Sequence, residues 1–250
     1  TVYNYAHIWN LRTFVFEDIV VRTLRFFFFF VKTVMNITDV DDKTIRDSIA
    51  AWEDLISFTQ KYTKIFIEDI KKLNIVPADN IVPVTTLIPE MVRMIQTMIN
   101  RKNAYLWEDG SVYFDVKTFK KYWNLAWIDM CNCGLQAGAR VNSDEYDKEN
   151  VADFVLWKAW KESDWANFWN EKFTINGSEV ILKWRPGWHI ECSACNMKYF
   201  GSQIDIHMWG VDLIFPHHQN EIAQTESCSR KEFSKYWLHS GHLMVDGKKM

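Results

Sequence analysis

Two residues of types that bind transition metals stand four positions apart near the end of the chain. In the segment IFPHHQNEIAQ, residues 214–224, His217 and Glu221 follow Pro216, which suits the first turn of a helix. Side chains four residues apart lie on one face of a helix, so the imidazole and the carboxylate would point the same way. Both groups are good zinc ligands, but a tetrahedral site needs two more. The same spacing also fits a capped, partly exposed helix start without a metal.

Five polar segments contain the other residues that could do chemistry. Each lies near a predicted strand end or helix start, and ligands of open α/β sheets bind at the carboxyl ends of the strands. We therefore expect the segments to converge on one crevice. Cys192 is the obvious third zinc ligand, although a cysteine is more often a small buried apolar residue. The segments are YAHIWN (5–10), NITDVDD (36–42), RPGWHIECSAC (185–195), DIHMWGVDLIFPHHQNEIAQ (205–224) and HSGHLMVDGKKM (239–250).

The composition excludes several classes of protein. The chain has 250 residues, of which 48% are hydrophobic, enough for a large core. Its net charge of −3 gives no basis for nucleic-acid binding by charge alone. The longest apolar stretch, 26–31, is far shorter than the roughly 20 residues of a membrane span, and no signal peptide precedes it. Five cysteines favour reduced thiols or metal ligands over a disulfide framework. We expect a cytoplasmic protein with no membrane partner.

Hydrophobic periodicity predicts the elements that would position the polar segments. Apolar residues recur at helical spacing in 11–25, in 43–73 and in 89–100, while 31–40 is typical of a buried strand that ends in an acidic loop. Two β-rich runs flank Asp109-Gly110, and two more flank Asn176-Gly177, which predicts two hairpins. Alternation of strand and helix resumes after them.

This pattern predicts one α/β domain that is divided by an insertion. We expect a Rossmann-like domain, a parallel sheet with helices on both faces, interrupted by an inserted β-containing lobe. Its predicted parts are a first half at 1–103, the inserted connective lobe at 104–184 and a second half at 185–250.

The polar segments, in this order and across essentially the whole chain, resemble the catalytic domain of cysteinyl-tRNA synthetases, which are class I aminoacyl-tRNA synthetases. The resemblance implies that cysteine is activated with ATP and Mg²⁺ to cysteinyl-adenylate and then transferred to tRNA(Cys) by a monomeric enzyme. The motifs that carry it are NITDVDD, GWHIEC, FPHHQNEIAQ and HSGHLMVDGKKM.

The resemblance also implies one Zn²⁺ per chain that reads the substrate thiolate. Its ligands would be Cys192, His217 and Glu221, with a fourth, a cysteine, expected just before Thr1. Zinc suits this task because a single hydroxyl or methylene gives a pocket only about 1 to 3 kcal/mol of discrimination. Zinc lowers the thiol pKa and prefers sulfur to a hydroxyl group, so no editing site would be required.

Further residues receive roles from the same resemblance. Thr38, Trp188 and His207 would line the amino-acid pocket. The segment HIWN occupies the place of the first class I signature, and its polar side chains would contact the ATP phosphates at a helix N-terminus. Lys249 would belong to the second signature, which continues beyond Met250. The implied catalytic residues are His7, Asn10 and Lys249, and the implied ATP-binding residues are His7, Asn10, Gly210 and Asp212.

Several bulky residues stand where the family pattern has glycine. They are Trp9, Trp184, Met208, Trp209 and Phe28, in a chain with only 9 glycines and with 13 tryptophans. An indole at position 9 would fill space that the nucleotide needs. Two interpretations follow: a genuine variant with weak catalysis, or positions that hold glycine in the working protein.

Three other functions remain open at this point. A related ligase activates cysteine identically but passes it to an amino-sugar acceptor, and a synthetase-like binding module would lack catalysis. The third alternative is a structural zinc site made by four cysteines, although the CxC spacing is unusual. Its ligands would be Cys131, Cys133, Cys192 and Cys195.

Overall fold

A computed structural model describes most of the chain. Cys131, Cys133 and the polar stretch 142–150 lie outside the described residues, as do Met250 and the side chain of Lys249. The four-cysteine site and the second lysine-containing signature therefore stay predictions. The described ranges are 1–122, 124–126, 140–141 and 153–249.

Helix α1, Ile8–Phe26, begins with reciprocal capping. His7 is the N-cap residue, and its side chain accepts a hydrogen bond from the Trp9 N–H, while the Asn10 side chain accepts one from the His7 N–H. After the helix, Phe28 has φ of 63°, a value that favours glycine. The helix predicted over 11–25 is confirmed.

The acidic loop of the NITDVDD segment follows a parallel strand pair. Strand β1, Val34–Ile37, pairs in parallel with β2, Asn80–Pro83. The strand predicted over 31–40 is confirmed but shorter. Helix α4, Ile88–Asn100, follows β2 after one short turn.

The helical stretch expected over 43–73 is divided into two helices. Helix α2 covers Asp42–Ala50 and α3 covers Leu55–Lys72. Trp52 between them has φ of 58°, which a helix does not allow, and Asp54 caps α3 through the Ser57 N–H. The periodicity continues through the break because both helices are amphipathic: Ile45 of α2 and Leu55 of α3 join the larger core, while Phe66 and Ile70 of α3 join a smaller apolar cluster.

The second half of the α/β fold carries most of the polar segments. Strand β9 pairs in parallel with β10, and a short antiparallel pair, β11 and β12, follows. The elements are α5 (Trp188–Phe200), β9 (Ile204–Gly210), α6 (Gln219–Ser229), β10 (Ser234–Ser240), β11 (Met244–Val245) and β12 (Lys248–Lys249).

The parallel strands form two separate pairs, which differs from the single parallel sheet that the sequence predicts. No backbone ladder joins β1–β2 to β9–β10 among the described residues. The N-terminal segment lies beside β1, where the Val2 N–H donates to Thr38 O at 3.1 Å, but it forms no strand. Val2 packs in one apolar cluster with Ile37 of β1 and Trp209 of β9. Side-chain packing therefore connects the two pairs.

A largely antiparallel sheet lies between the two halves in sequence. Both hairpins are confirmed, because β3 and β4 pair across Asp109-Gly110, and β7 and β8 pair across Asn176-Gly177. The strand order is β3-β4-β6-β8-β7, with β5 parallel to β6. The strands are β3 (Ala104–Leu106), β4 (Val112–Phe114), β5 (Arg140–Val141), β6 (Asp153–Ala159), β7 (Trp169–Ile175) and β8 (Ser178–Pro186).

The largest apolar core joins this sheet to the helices. Met91 and Ile95 of α4 pack in one buried cluster with Phe154 and Trp157 of β6 and with Ile190 of α5. The sheet therefore fixes the face of α5 that bears the reactive residues. Within the described part of the chain, no helix is both long and apolar enough to cross a membrane.

Candidate metal and nucleotide site

A cysteine, a histidine and a glutamate converge where α5 meets α6. Cys192, His217 and Glu221 offer ligand atoms that all lie within 4.8 Å of one another. His217 Nε2 is 3.1 Å from Glu221 Oε1, near the roughly 3.3 Å that separates two donors on one tetrahedral zinc. Both residues are buried, which contradicts the partly exposed helix start considered from the sequence.

His217 lies just before α6 rather than inside it. The irregular turn Ile214–His218 precedes the helix, and Phe215 in this turn is extended, with φ of −137° and ψ of 135°. A residue before proline avoids the helical conformation, so Pro216 does not start a regular helix as expected. The helix begins at Gln219. The four-residue spacing still brings the imidazole and the carboxylate together.

Other aromatic and imidazole groups surround the three ligand candidates. His207 Nε2 lies 2.8 Å from Glu221 Oε2, and His189 Nδ1 lies 2.9 Å from His217 Nδ1. The Trp188 ring packs at 4.3 Å from the His217 ring, centroid to centroid. Both ring nitrogens of His217 thus face a polar group: Nε2 faces the Glu221 carboxylate, and Nδ1 faces His189.

The pKa values of the carboxyl group and of the thiol in this cluster shift in opposite directions. Burial alone would raise the pKa of Glu221, but the charge and hydrogen bond of His207, together with nearby His217, outweigh burial and lower that pKa. Burial raises the pKa of Cys192 well above its usual value, and the negative charges of Glu221 and Glu191 add to the shift. These shifts favour the ionised form of Glu221 and the protonated form of Cys192.

The donor set fits a zinc ion. Glu221 Oε1 is buried and accepts no well-aligned hydrogen bond from the described residues, although a buried carboxylate oxygen normally has a partner. One sulfur, one nitrogen and one oxygen donor match the ligand types that zinc takes in proteins. A cation between them would satisfy the orphaned oxygen. A second group, His207, His218 and Glu221, also lies within 4.8 Å and shares the same carboxylate.

The three expected amino-acid pocket residues lie around this cluster. Trp188 and His207 contact it directly, as described above. Thr38, at the end of β1, donates from Oγ1 to Glu191 Oε2 at 2.8 Å, and Glu191 precedes Cys192 on α5. This hydrogen bond therefore connects Thr38, which follows β1, to the part of α5 that carries Cys192.

The residues expected to bind ATP lie near the start of α1. A Cβ on Gly210 would collide with the Asp212 carboxylate and would come within 3.5 Å of the Trp9 indole. The Trp9 ring also lies 6.1 Å from the His242 ring. The Trp9 side chain therefore approaches Gly210 from the first turn of α1, which also contains Asn10 and which His7 caps.

One comparison decides the family. A family model described as the class I (C) tRNA synthetase catalytic domain matches residues 1–250. The chain belongs to this family. The membership predicted from the four motifs is confirmed.

Curated relatives of the family cover the whole chain. The cysteine–tRNA ligase of Chlamydia felis (strain Fe/C-56) is 52% identical over 100% of this chain and 51% of its own length. The cysteine–tRNA ligase of Brachyspira hyodysenteriae (strain ATCC 49526 / WA1) is 49% identical, with the same two coverages. The chain thus spans about half the length of the curated relatives that it matches.

Solved structures show the fold that the family shares. A Mycobacterium tuberculosis methionyl-tRNA synthetase in complex with methionyl-adenylate superposes with a TM-score of 0.64 at 13% identity, covering 99% of this chain and 56% of that one. A second structure of that synthetase, bound by methionyl-adenylate, gives a TM-score of 0.61 at 12% identity, covering 96% of this chain and 55% of that one. The α/β class I fold predicted from the sequence is confirmed.

Four polar residues near the site received no role from sequence reasoning. Asn36 accepts a hydrogen bond from the Cys192 thiol at 3.6 Å, and His218 Nδ1 lies 2.8 Å from His239 Nε2. His189 is the fourth of these residues, after Asn36, His218 and His239. Each lies inside a motif of the family, which is the one signal that could have found them. Their contacts depend on packing between distant elements, which residue type and spacing do not reveal.

Proposed function

We propose that the protein containing this chain activates cysteine with ATP to cysteinyl-adenylate and transfers the cysteinyl group to tRNA(Cys). The observation that carries this proposal is the convergence of Cys192, His217 and Glu221 within 4.8 Å, beside Trp188. A metal site with a sulfur ligand beside an aromatic ring is suited to a thiol substrate. The names of the curated relatives support the same substrate.

The three converging residues would bind one Zn²⁺. When bound, zinc would lower the pKa of the substrate thiol and favour sulfur over the hydroxyl group of serine. The resemblance implies a cysteine before Thr1 as the fourth ligand. The Val2 N–H bonds to Thr38 O, and Thr38 bonds to Glu191 beside Cys192, so the first residues of the chain lie near this cluster, which supports that assignment.

The chain's own residues would position the amino acid. Trp188 stacks beside His217 and would form one wall of the pocket, and His207 holds Glu221 by the 2.8 Å contact. Thr38 would close the opposite wall through its bond to Glu191.

ATP, with Mg²⁺, would bind at the capped start of α1. The first N–H groups of a helix favour phosphate, and His7 and Asn10 lie at this end. Gly210 allows the backbone to approach the nucleotide, because any Cβ there would meet Asp212. Lys249 would approach the phosphates in the adenylate-forming step. Positioning and charge stabilisation would provide most of the catalysis.

We propose the same division of the chain into parts that the sequence predicts. Residues 1–103 and 185–250 would form the two halves of the catalytic domain, and 104–184 would form the inserted connective lobe. All described strands between Ala104 and Pro186 belong to one sheet, which supports this division. We further propose that the protein acts as a monomer.

Cysteine-dependent ATP–pyrophosphate exchange by the full-length protein, with metal analysis, tests this function. Cys192→Ser should remove most of the bound zinc and most of the exchange. Cys228→Ser is the matched control, because the Cys228 thiol donates to Met94 O and lies on the far end of α6. Exchange that is independent of cysteine, or zinc retained in Cys192→Ser, would contradict the proposal. Transfer assays with tRNA(Cys) and with an amino-sugar acceptor then identify the acceptor.

One observation favours a second candidate function, a synthetase-like binding module without catalysis. The Trp9 indole lies within 3.5 Å of the position that a Gly210 side chain would take, in the space proposed for ATP. Binding of cysteine and zinc with no pyrophosphate exchange, in the protein with Trp9, would support this alternative.

A further inference from the structure

We propose that His189 is a positioning residue that aims His217 at the metal. Its Nδ1 accepts the Nδ1–H of His217, and this bond fixes the His217 tautomer and ring orientation. The inference rests on the zinc site of the proposed function. It assigns a role to a buried histidine that is neither a proposed metal ligand nor a proposed residue of the amino-acid pocket.

The geometry of the two rings supports a direct hydrogen bond. His189 Nδ1 and His217 Nδ1 are 2.9 Å apart, a normal distance for a nitrogen donor and acceptor. His189 is fully buried and His217 nearly so. Burial shields this contact from bulk solvent, so the bond between the two rings sets where their protons lie.

The positions of the protons follow from the ligand atom that faces the site. His217 Nε2 points toward Glu221 Oε1 at 3.1 Å, and a metal there requires an unprotonated Nε2. Neutral His217 must then carry its proton on Nδ1 and donate it. His189 Nδ1 is the acceptor, so His189 carries its own proton on Nε2. No net proton is gained or lost in this arrangement.

Metal-binding histidines commonly donate their second nitrogen to a carboxylate or a backbone carbonyl. An imidazole takes that place here. Glu221 already brings one buried carboxyl group to the site, and a second one behind His217 would place two acidic groups around one imidazole. A neutral acceptor gives direction without that repulsion.

Packing holds His189 in position to act. Its ring contacts Trp188 at 5.5 Å and Phe154 of β6 at 6.0 Å, centroid to centroid. Phe154 belongs to the antiparallel sheet, so the inserted strands pack against the His189 ring. The sheet therefore contributes to the orientation of His217 through the His189 imidazole.

Two substitutions at position 189 separate the hydrogen bond from the packing. His189→Phe keeps an aromatic ring of similar size and removes both nitrogens. His189→Asn places an amide oxygen near the position of Nδ1 and so keeps an acceptor. Ser193→Ala is the control on the same helix, because it removes a buried bond, Ser193 Oγ to Gln224 Oε1 at 2.6 Å, that does not involve a metal ligand.

The readout is zinc affinity of the full-length protein, measured by competition with a chromophoric chelator, alongside thermal unfolding of the metal-free protein. We expect His189→Phe to weaken zinc binding by about 10- to 100-fold, the range seen when such supporting bonds are removed. His189→Asn should show less than about a third of this loss of affinity on a logarithmic scale, because it keeps an acceptor. Ser193→Ala should lower stability and leave the affinity unchanged.

The possible outcomes distinguish this inference from the proposed function. Wild-type affinity in His189→Phe would overturn the inference alone, and so would an equal loss in His189→Phe and His189→Asn, since packing would then be the cause. If the unsubstituted protein binds no zinc, the metal site of the proposed function is wrong and the inference fails with it. Nitrogen-15 spectra of the zinc-bound protein should show His217 protonated on Nδ1.

Discussion

The ammonium group of Lys158 on β6 lies 3.0 Å from the carboxylate of Asp42 at the start of α2. Arg185 of β8 contacts the same carboxylate. The Lys158 side chain is 3% exposed and that of Asp42 is 54% exposed, so a buried cation depends on a half-exposed anion. Asp42 follows Thr38 by four residues, and Arg185 precedes Trp188 by three. The ion cluster therefore ties together two segments that frame the proposed amino-acid pocket.

Asp42→Asn should lower the free energy of unfolding by about 1 to 2 kcal/mol, because it removes the carboxylate that faces the buried Lys158 ammonium group. This value is smaller than for a fully buried pair, since solvent screens the exposed side of Asp42. Chemical denaturation at neutral pH measures the change. Asp205→Asn is the control, because its pair with Lys235 is exposed on both sides and should contribute little. Equal effects of the two substitutions would contradict the role given to Asp42.

The same cluster should make stability depend on pH in the acid range. Burial opposes ionisation of Asp42, but Lys158 and Arg185 outweigh burial and lower its pKa. The stability from a lowered pKa is fully present above the unfolded value, near 3.9, and is lost as the pH falls through the folded value. Unfolding measured from pH 6 to pH 2 should show this loss, and Asp42→Asn should reduce it.

Glu17 on α1 should destabilise the fold at alkaline pH. Its Oε1 is buried and accepts no hydrogen bond from the described residues, and burial raises the pKa of Glu17 to about 8. A raised pKa favours folding below the unfolded value near 4.5, and this contribution is lost as the pH rises toward 8. Glu17→Gln should therefore stabilise the protein at pH 9, by about 2 kcal/mol, and change little at pH 4.

The matched control for Glu17 is Glu68→Gln on α3, whose side chain is exposed. It should leave the dependence of unfolding free energy on pH unchanged. A Glu17→Gln protein with wild-type stability at both pH values would show that the Glu17 carboxyl group is solvated in the folded state.

Trp9→Gly should increase the affinity for ATP by about 10-fold or more. The indole lies between the start of α1 and Gly210, and overfilling a site of fixed shape typically costs 1 to 3 kcal/mol, roughly one to two factors of ten. Calorimetric titration with a non-hydrolysable ATP analogue measures the affinity. Trp52→Gly, at an exposed position between α2 and α3, is the control. Tight ATP binding by the protein with Trp9 would show that the indole does not occupy the nucleotide's space.

Trp52→Gly should stabilise the protein by about 1 kcal/mol. Trp52 has φ of 58°, which glycine adopts without strain, and its side chain is 89% exposed, so little packing is lost. Trp52→Ala keeps the strained Cβ and should give no such gain. Thermal unfolding of the two variants side by side is the measurement, and a gain of equal size in both would point to the exposed indole rather than to the backbone.

Local chemistry in the sequence determined the parts of the fold that depend on short-range interactions. The hairpins at Asp109-Gly110 and Asn176-Gly177 follow from turn residues that accept a left-handed backbone. Helix α1 follows from periodicity and from the His7 cap, and the His217–Glu221 pair follows from four-residue spacing. Each of these depends on residues within one or two turns of each other, so the sequence contains the whole cause.

Tertiary structure alone decided the contacts between distant elements. Cys192 reaches His217 because the core places α5 against the turn before α6, and His189 reaches the back of His217 by the same packing. The split of the parallel strands into two pairs also depends on packing, through Val2 and Trp209. Such contacts join residues that are far apart in sequence, and their geometry is set by how whole faces pack. Residue type and spacing carry no direct record of that packing.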